Sequence, residues 1–231
     1  MDTQSTKSQP LTLPIELYQL ILTCADFLTR IRLRCANKEF HAKLEIHDFA
    51  LIDTKYLRLL SNDILRAYPR IQILDASCSL KITNINFMTN LKVLFAFGEC
   101  GIEDKSIADL NLVKLFVSNN SKITTINHMT KLEVLNAGHE CGIDDFGIQN
   151  PNLKKLRVFG NSRITNVNHL TKLKVLNAEY GSGINDMGIS NLTNLKKLFI
   201  RGNSSITNTN HLTQLRVLEN ITIYDNDIFI D

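Results

Sequence analysis

The segment LKKLRVFGNSRITNVNHLTK, residues 153–172, is one complete copy of the unit from which most of this 231-residue chain is built. Its first half follows the pattern LxxLxLxxN, formed by Leu153, Leu156, Val158 and Asn161. Leu156 and Val158 lie two residues apart, so both face one side of a short β-strand. The neighbouring side chains of Lys155, Arg157 and Phe159 face the other side. The unit therefore predicts a strand with one buried face and one outward face.

The second half of the unit carries apolar residues at a spacing of three. In this copy they are Ile164, Val167 and Leu170. The spacing predicts a 3₁₀ or loosely helical segment that returns across the opposite, convex face and buries one edge. Every second unit has a different return, in which glycines permit tight turns. Its apolar positions are exemplified by Ile184, Ile189 and Leu192.

Units of this kind recur at steps of 20 to 22 residues. They begin at Ile71, Leu91, Leu112, Leu132, Leu153, Leu173, Leu195 and Leu215. A period of about 20 is typical of a solenoid of stacked units, and it leaves no room for a long helix. We therefore predict an α/β solenoid over residues 71–218, with a gently curved parallel sheet of about eight units.

An asparagine closes the strand pattern in every second unit, as Asn120, Asn161 and Asn203. Its side chain can bond backbone groups left open by the turn, so stacked units should form a partial asparagine ladder. The same position in the alternate units is occupied by Glu99, Glu140 and Gly181, which interrupts the ladder. The repeated pattern resembles that of leucine-rich-repeat proteins. This resemblance implies a stacked parallel sheet whose concave face binds a partner.

The residues ahead of the repeats have a helical pattern instead. Pro14 suits the first turn of a helix, because its missing N–H is not needed there. One face of this first helix is formed by Leu17, Leu20, Ile21 and Cys24. Two further helices are predicted, over residues 26–36 and 38–47.

The same stretch resembles an F-box. The motif residues are Leu13, Pro14 and Glu16 at its start, Ile21 and Leu22 at the end of the first helix, and Lys38 and Phe40 at its close. The resemblance implies that residues 13–48 form a three-helix F-box-like module that binds a Skp-type linker protein of a cullin ubiquitin ligase. The residues implied in this contact are Leu13, Pro14, Glu16, Leu17, Ile21 and Phe40. The alternative is that these helices only cap the solenoid.

Three further segments complete the domain plan. Residues 1–12 are polar, and we predict a disordered N-terminal tail. Residues 49–70 are interpreted as a linking helix, over about 55–68, that Pro69 stops and that joins the modules as an irregular first repeat. In residues 219–231 apolar residues alternate with acidic ones, which predicts a terminal strand that caps the open core.

Composition favours an intracellular protein with a protein partner. The net charge is only +3 and basic residues are spread along the chain, which argues against nucleic acid. No signal-peptide pattern and no run of about 20 apolar residues is present, so no membrane contact is expected. The five cysteines form no CxxC pair and are interpreted as small buried thiols in a reducing compartment. We expect a cytoplasmic protein that is monomeric apart from its partners.

The outward face of the sheet is the candidate binding surface. Its predicted residues are Phe95, Phe97, Lys114, Phe116, Lys155, Arg157, Phe159, Lys197, Phe199 and Arg201. Aromatic and arginine side chains on a rigid surface are typical of the residues that dominate protein–protein binding energy. The alternative is that some of these phenylalanines pack along the sheet or under neighbouring loops.

Residue patterns for catalysis or for binding a cofactor or metal were not found in the sequence. There is no phosphate-binding glycine loop, no Ser, His and Asp arrangement and no zinc-ligand spacing. His128, His169 and His211 recur in alternate units about 10 Å apart, so one ion cannot bridge them. We therefore expect a protein that is not an enzyme and needs no cofactor or metal.

Two functions remain open at this point. The first is the substrate-recognition subunit of a Skp–cullin–F-box ubiquitin ligase, which would hold an unknown target protein on the concave sheet. The second is a non-enzymatic leucine-rich-repeat scaffold or structural protein whose front helices act only as a cap.

Overall fold

Two units make up the described part of the chain, which comprises residues 13–49, 54–77 and 79–219 of a computed structural model. The first unit contains the residues up to Ile46, and the second begins at His47. The predicted tail over residues 1–12 lies outside the described residues. The predicted cap over residues 219–231 lies outside them as well, except for Glu219.

The first unit consists of three short helices. They are α1 (Ile15–Cys24), α2 (Phe27–Cys35) and α3 (Lys38–Lys43). Asp26 caps α2 by accepting a hydrogen bond from the Thr29 amide at 3.1 Å, and Asn37 caps α3 in the same way. The third helix ends four residues before the predicted His47, because Glu45 leaves the helical path. Its backbone amide and carbonyl both bond the side chain of Gln19, each at 2.8 Å.

The segment that precedes the repeats differs from the single helix predicted over about residues 55–68. It contains a short strand, β1 (Asp48–Phe49), and two short helices, α4 (Thr54–Leu57) and α5 (Asn62–Arg66). The helical path is broken at Ser61, whose side chain accepts a hydrogen bond from the Ile64 amide and so starts a new helix.

The second unit contains a parallel sheet of nine strands whose order in the sheet is their order in the chain. After β1 come β2 (Ile73–Asp75), β3 (Val93–Phe95), β4 (Lys114–Phe116), β5 (Val134–Asn136), β6 (Lys155–Arg157), β7 (Val175–Asn177), β8 (Lys197–Phe199) and β9 (Val217–Glu219). The central leucines of β2 to β8, from Leu74 to Leu198, are paired in register and fully buried. The predicted parallel sheet of eight repeat strands is confirmed, and β1 extends it by one strand.

The return segments are short, as predicted, and they close the core on the opposite side. In one kind of unit the apolar residues spaced by three, such as Ile164, Val167 and Leu170, are fully buried. Two returns of the other kind contain a single 3₁₀ turn, at Asp104–Ser106 and Met187–Ile189. Helix α1 has 10 residues. Among the residues that the structure describes, no helix is long and apolar enough to cross a bilayer.

The predicted asparagine ladder is present. Asn161 is fully buried, and its Nδ2 donates to the carbonyl oxygens of Ala137 at 2.8 Å and Ile143 at 3.2 Å, both in the preceding unit. Its Oδ1 accepts from the Arg163 amide at 2.8 Å. Asn120 and Asn203 repeat this arrangement. Each asparagine therefore ties the end of one strand to the strand and the return of the unit before it.

Candidate binding surface

The open sheet face is the side of the sheet that the returns do not cover, and it carries two aromatic clusters. The first consists of Phe95, Phe97 and Phe116. Phe95 and Phe116 lie on neighbouring strands with ring centroids 4.6 Å apart and planes only 12° from parallel. Phe116 is 3% exposed as a result. Phe116 therefore packs along the sheet against the neighbouring strand, which was the alternative to an exposed contact residue.

Further along the sheet, Phe199 is also removed from solvent, with 5% of its surface exposed. It belongs to a buried cluster on this face with Phe116, Val134 and Val175. The expectation that Phe116 and Phe199 are exposed contact residues is thus not met. The reason is that valines at the third position of alternate units pack with these phenylalanines on the sheet face.

The second cluster, which we call the aromatic rim, consists of His139, Phe159, Tyr180 and Arg157. The ring of Phe159 lies between its neighbours, with centroid distances of 4.7 Å to His139 and 5.0 Å to Tyr180. The Arg157 guanidinium carbon is 5.4 Å from the Phe159 centroid, within the range of a cation–π contact. The rim combines the half-buried ring of Phe159 with the exposed rings of His139 and Tyr180 and with the cation of Arg157.

His139 and Tyr180 were not predicted as site residues. Both lie just after a strand with positive φ angles, 55° and 38°, at a position where the neighbouring units have Gly160 and Gly202. A non-glycine residue in this conformation is strained by about 1 kcal/mol or more, and such strain is concentrated at functional sites. An alignment of the units would have revealed this position, since the large side chains of His139 and Tyr180 stand where the neighbouring units have glycine.

The glycines of the intervening units leave the space that these side chains occupy. A Cβ atom at Gly160 would lie 3.2 Å from Nδ1 of His139, and one at Gly202 would lie 2.8 Å from Cδ1 of Tyr180. The Arg201 guanidinium carbon also lies 5.3 Å from the Tyr180 ring centroid. His139 and Tyr180 are therefore fitted against the neighbouring units.

A depression of about 930 Å³ lies between the first aromatic cluster and the rim. Its wall contains Phe97 from the first cluster, Arg157, Phe159 and His139 from the rim, and the side chain of Arg58. Asn119, Asn136 and Ser118 add polar groups. The depression is open to solvent, and its volume is within the range of ligand-binding clefts.

Electrostatics make Arg157 the central polar group of this depression. Partial burial lowers the pKa of its guanidinium, and the charge of Glu179 opposes this change. Glu179 is itself buried and accepts a hydrogen bond from Nδ2 of Asn177 at 2.6 Å. Arg157 thus sits in an environment that strengthens its interaction with an incoming acceptor group.

The structure brings together only some of the predicted sheet residues. Phe97, Arg157 and Phe159 line the depression, whereas Phe95 does not line it and stacks on Phe116. Lys114, Lys155 and Lys197 do not line the depression. They lie at the start of their strands, next to the valines of the neighbouring strands.

The histidines that recur in the returns have structural contacts. Nε2 of His128, His169 and His211 donates to the carbonyl oxygens of Ile107, Ile148 and Ile189, at 3.2, 2.8 and 3.1 Å. Each therefore links its return to the preceding one. Over residues 13–49, 54–77 and 79–219, no group of three or more His, Cys, Asp or Glu residues is arranged to hold a metal ion.

In the first unit, α1 presents apolar side chains to solvent. Leu13, Leu17 and Ile21 are each more than 40% exposed, and Leu20, which was not among the predicted contacts, is 60% exposed. Phe40 is half-buried instead, with its ring centroid 4.5 Å from that of Tyr18. Pro14 and Glu16 are exposed at the start of α1.

The stacked parallel strands, the buried leucines and the asparagine ladder define a leucine-rich-repeat solenoid. Among solved structures, the chain is similar to the internalin InlF of Listeria monocytogenes, with a TM-score of 0.54 and 22% sequence identity, over 88% of this chain and 67% of that one. The functional domain of InlJ from the same organism, which includes a cysteine ladder, aligns with a TM-score of 0.48 and 16% identity. That alignment covers 80% of this chain and 50% of the InlJ domain. No protein-family model and no curated protein matches the chain.

Proposed function

We propose that the chain is a non-catalytic protein-interaction module that binds a polypeptide on its open sheet face. The observation that carries this proposal is the depression of about 930 Å³ bordered by Arg157, Phe159 and His139. Aromatic and arginine side chains in a partly desolvated depression are the groups that contribute most to protein binding energy.

The rigidity of the rim supports the proposal. Phe159 is held between two aromatic neighbours, and Arg157 belongs to a strand that is paired on both sides. Side chains that are already ordered lose little conformational entropy when a partner binds. The rim is therefore preorganised for contact, as an interaction surface requires.

Selection of ligands from a random peptide display library tests this function. Peptides selected on the wild-type chain are measured against Phe159→Ser and Arg157→Ala by fluorescence anisotropy. We expect each substitution to weaken binding by at least about tenfold, which is the size of a strong contact residue.

The matched control is Phe146→Ser, because Phe146 is 85% exposed and lies on a return segment, away from the open sheet face. Its loss should change affinity by less than about twofold. Peptides that bind equally well to all three variants would show that the open sheet face is not the binding surface.

A second candidate function is the substrate-recognition subunit of a Skp–cullin–F-box ubiquitin ligase, acting in the cytoplasm. The exposed apolar face of α1, with Leu17, Leu20 and Ile21, supports it, because a protein rarely leaves so many large apolar side chains of one short helix in water without a partner. In this role the chain itself does no chemistry and only raises the local concentration of a target protein. Neither InlF nor InlJ bears on this role.

A pull-down with purified Skp-type protein tests the second candidate. We expect the wild type to bind and Leu17→Asp with Leu20→Asp to lose binding, while Phe159→Ser binds as well as the wild type. The circular dichroism spectrum of the double variant serves as a folding control. A wild-type chain that fails to bind would exclude this candidate and leave the interaction-module proposal untouched.

A further inference from the structure

A row of basic residues runs across the last four strands, separate from the depression and the rim. The row consists of Lys154, Lys174, Lys196 and Arg216, which occupy the same position of consecutive units, and we call it the lysine row. Backbone hydrogen bonds fix this alignment: the amide of each member from Lys174 onward donates to the carbonyl of the member before it, at 2.8 to 2.9 Å. The row is thus set by the sheet and does not depend on side-chain placement.

Like charges are concentrated along this row. Neighbouring members belong to strands about 4.8 Å apart, well inside the screening length of about 8 Å at physiological salt. Lys154 forms an ion pair with Glu133 at 2.6 Å. For Lys174, Lys196 and Arg216 no carboxylate partner is found among the described residues. Since like charges opposite one another on a sheet destabilise it, an anion that covers the row would relieve this repulsion.

The row borders a second depression, of about 330 Å³. Four lysines line it, namely Lys154, Lys172, Lys174 and Lys196, and none of its lining residues is acidic. The remaining lining residues are Thr171, Asn194 and Gln214. This second depression combines several ammonium groups with hydroxyl and amide groups in a space large enough for more than one carboxylate.

We propose that the lysine row is a second interaction surface and that it binds an acidic polypeptide segment. The charge selects an anion, and the alignment of basic residues over four strands selects an extended one. Asn194 and Gln214 have side chains that both donate and accept hydrogen bonds, which suits a peptide backbone with its alternating N–H and C=O groups. A polyphosphate chain offers acceptors only.

Two other classes of polyanion fit the surface less well. No aromatic side chain lines the second depression, so it lacks the stacking platform that single-stranded nucleic acids use. A lipid surface offers no regular alternation of backbone N–H and C=O groups to the side-chain amides of Asn194 and Gln214. The acidic segment is therefore the occupant that the chemistry of the lining favours.

Binding of fluorescein-labelled decaglutamate to the full chain tests the proposal, with decaglutamine as the neutral probe. We expect decaglutamate to bind at about 50 mM salt and to weaken as salt rises, as screened charge contacts do, while decaglutamine does not bind. Lys174→Glu and Lys196→Glu should each weaken decaglutamate binding by about tenfold, and Lys174→Arg should retain it.

The matched control is Lys105→Glu, which makes the same change in net charge at a side chain that is 81% exposed on a return segment and that pairs with Glu103 at 2.8 Å. It should weaken decaglutamate binding by less than about twofold. Equal losses for Lys105→Glu and Lys174→Glu would overturn the proposal, since binding would then follow net charge alone.

Inorganic polyphosphate and phosphatidylserine vesicles are measured in the same way to separate the sources of negative charge. Binding of either probe that depends on Lys174, with no binding of decaglutamate, would overturn the assignment to a polypeptide. The variants at Phe159 and Arg157 should bind decaglutamate as the wild type does, so this result and the test of the open sheet face are independent.

Discussion

Asp145 and Thr165 join two consecutive units through a pair of hydrogen bonds to one carboxylate. Oδ1 of Asp145 accepts from the Thr165 amide at 2.8 Å, and Oδ2 accepts from the Thr165 hydroxyl at 2.6 Å. The same pair recurs as Asp104 with Thr124 and as Asp186 with Thr207. These contacts lie on the return side, where they complement the asparagine ladder inside the core.

The Asp145–Thr165 pair should contribute measurably to stability. We expect Asp145→Ala to lower the free energy of unfolding by about 1 to 2 kcal/mol, because its charge-assisted hydrogen bonds from the Thr165 amide and hydroxyl and from the Asn166 amide are lost. Urea unfolding followed by circular dichroism measures this. Thr165→Val removes only the hydroxyl contact, so the double variant should lose less than the sum of the two single variants. Additive losses would mean that the two side chains do not interact.

The Asp186–Thr207 pair predicts that the stability of the protein depends on pH. Hydrogen bonds from the Asn208 amide and from the Thr207 side chain and amide lower the pKa of the Asp186 carboxyl in the folded chain. A lowered folded pKa stabilises the protein above the unfolded value of about 3.9, and this stabilisation is lost as pH falls through the folded value. Asp186→Asn should therefore be less stable than the wild type at pH 7, with a difference that shrinks in acid. A difference that stays constant between neutral and strongly acidic pH would contradict this assignment.

Asn161 should be among the costliest polar residues to replace. Asn161→Ala leaves the carbonyl oxygens of Ala137 and Ile143 without their donor inside the core, so we expect a loss of about 2 to 4 kcal/mol in the free energy of unfolding. The exposed Asn210 provides the matched control, and Asn210→Ala should cost less than about 0.5 kcal/mol. Similar costs at the two sites would contradict a role for the ladder in stability.

Close stacking of the returns makes Gly147 sensitive to substitution. A Cβ atom at Gly147 would collide with the carbonyl oxygen of Thr124 in the preceding unit, and backbone cannot move aside as a flexible side chain can. We expect Gly147→Ala to lower the free energy of unfolding by about 2 kcal/mol or more, and the thermal midpoint of unfolding measures this loss. Gly98→Ala is the comparison, because a Cβ there meets nothing within 4 Å and adds only the strain of a φ of +62°, about 1 kcal/mol. A smaller effect at Gly147 than at Gly98 would contradict the packing described.

The four cysteines that the structure describes should divide into two reactivity classes. Cys24 and Cys35 are exposed, whereas Cys100 and Cys141 are buried. Burial raises the pKa of the Cys141 thiol to about 11 and raises that of Cys100 as well. Since the thiolate is the reactive form, iodoacetamide at pH 8 should modify Cys24 and Cys35 at least about a hundredfold faster, as read site by site by mass spectrometry. Rapid modification of Cys141 in the folded chain would contradict its placement.

The repeat sheet could be predicted from the sequence because the residues that recur with its period each have a single structural role. Leu156 and Val158 can be buried in the same strand in just one way, and Asn161 follows them at a fixed spacing. The cysteine interpretation was only partly correct, since Cys24 and Cys35 lie in short helices that have little core in which to bury them. The break in the helix at Ser61 was missed because a serine in a helical pattern does not by itself distinguish a cap from an interior residue.

The binding surface was harder to predict, because exposure on a sheet depends on neighbouring strands rather than on the strand itself. Phe116 and Phe159 have equivalent outward directions in the pattern. Phe116 stacks on Phe95 and is buried, whereas Phe159 borders the depression. The difference arises from residues about 20 positions away in the chain, together with the positive φ angles of His139 and Tyr180.

The alternation of two kinds of unit determines how the length of this solenoid can change. In units of one kind an asparagine, such as Asn161, donates a hydrogen bond to the backbone of the preceding unit, which is of the other kind. Thr165 of the same unit likewise donates to Asp145 of the preceding unit. Removing a single unit would join two units of the same kind, so that either Thr165 would lose the carboxylate of Asp145 or Asp145 would lose its donors in Thr165. Removing residues 112–152, which form one pair of units, would rejoin compatible partners. The pair of units is thus the module that can be gained or lost in evolution or in design. Natural or designed chains of different length should therefore differ by whole pairs.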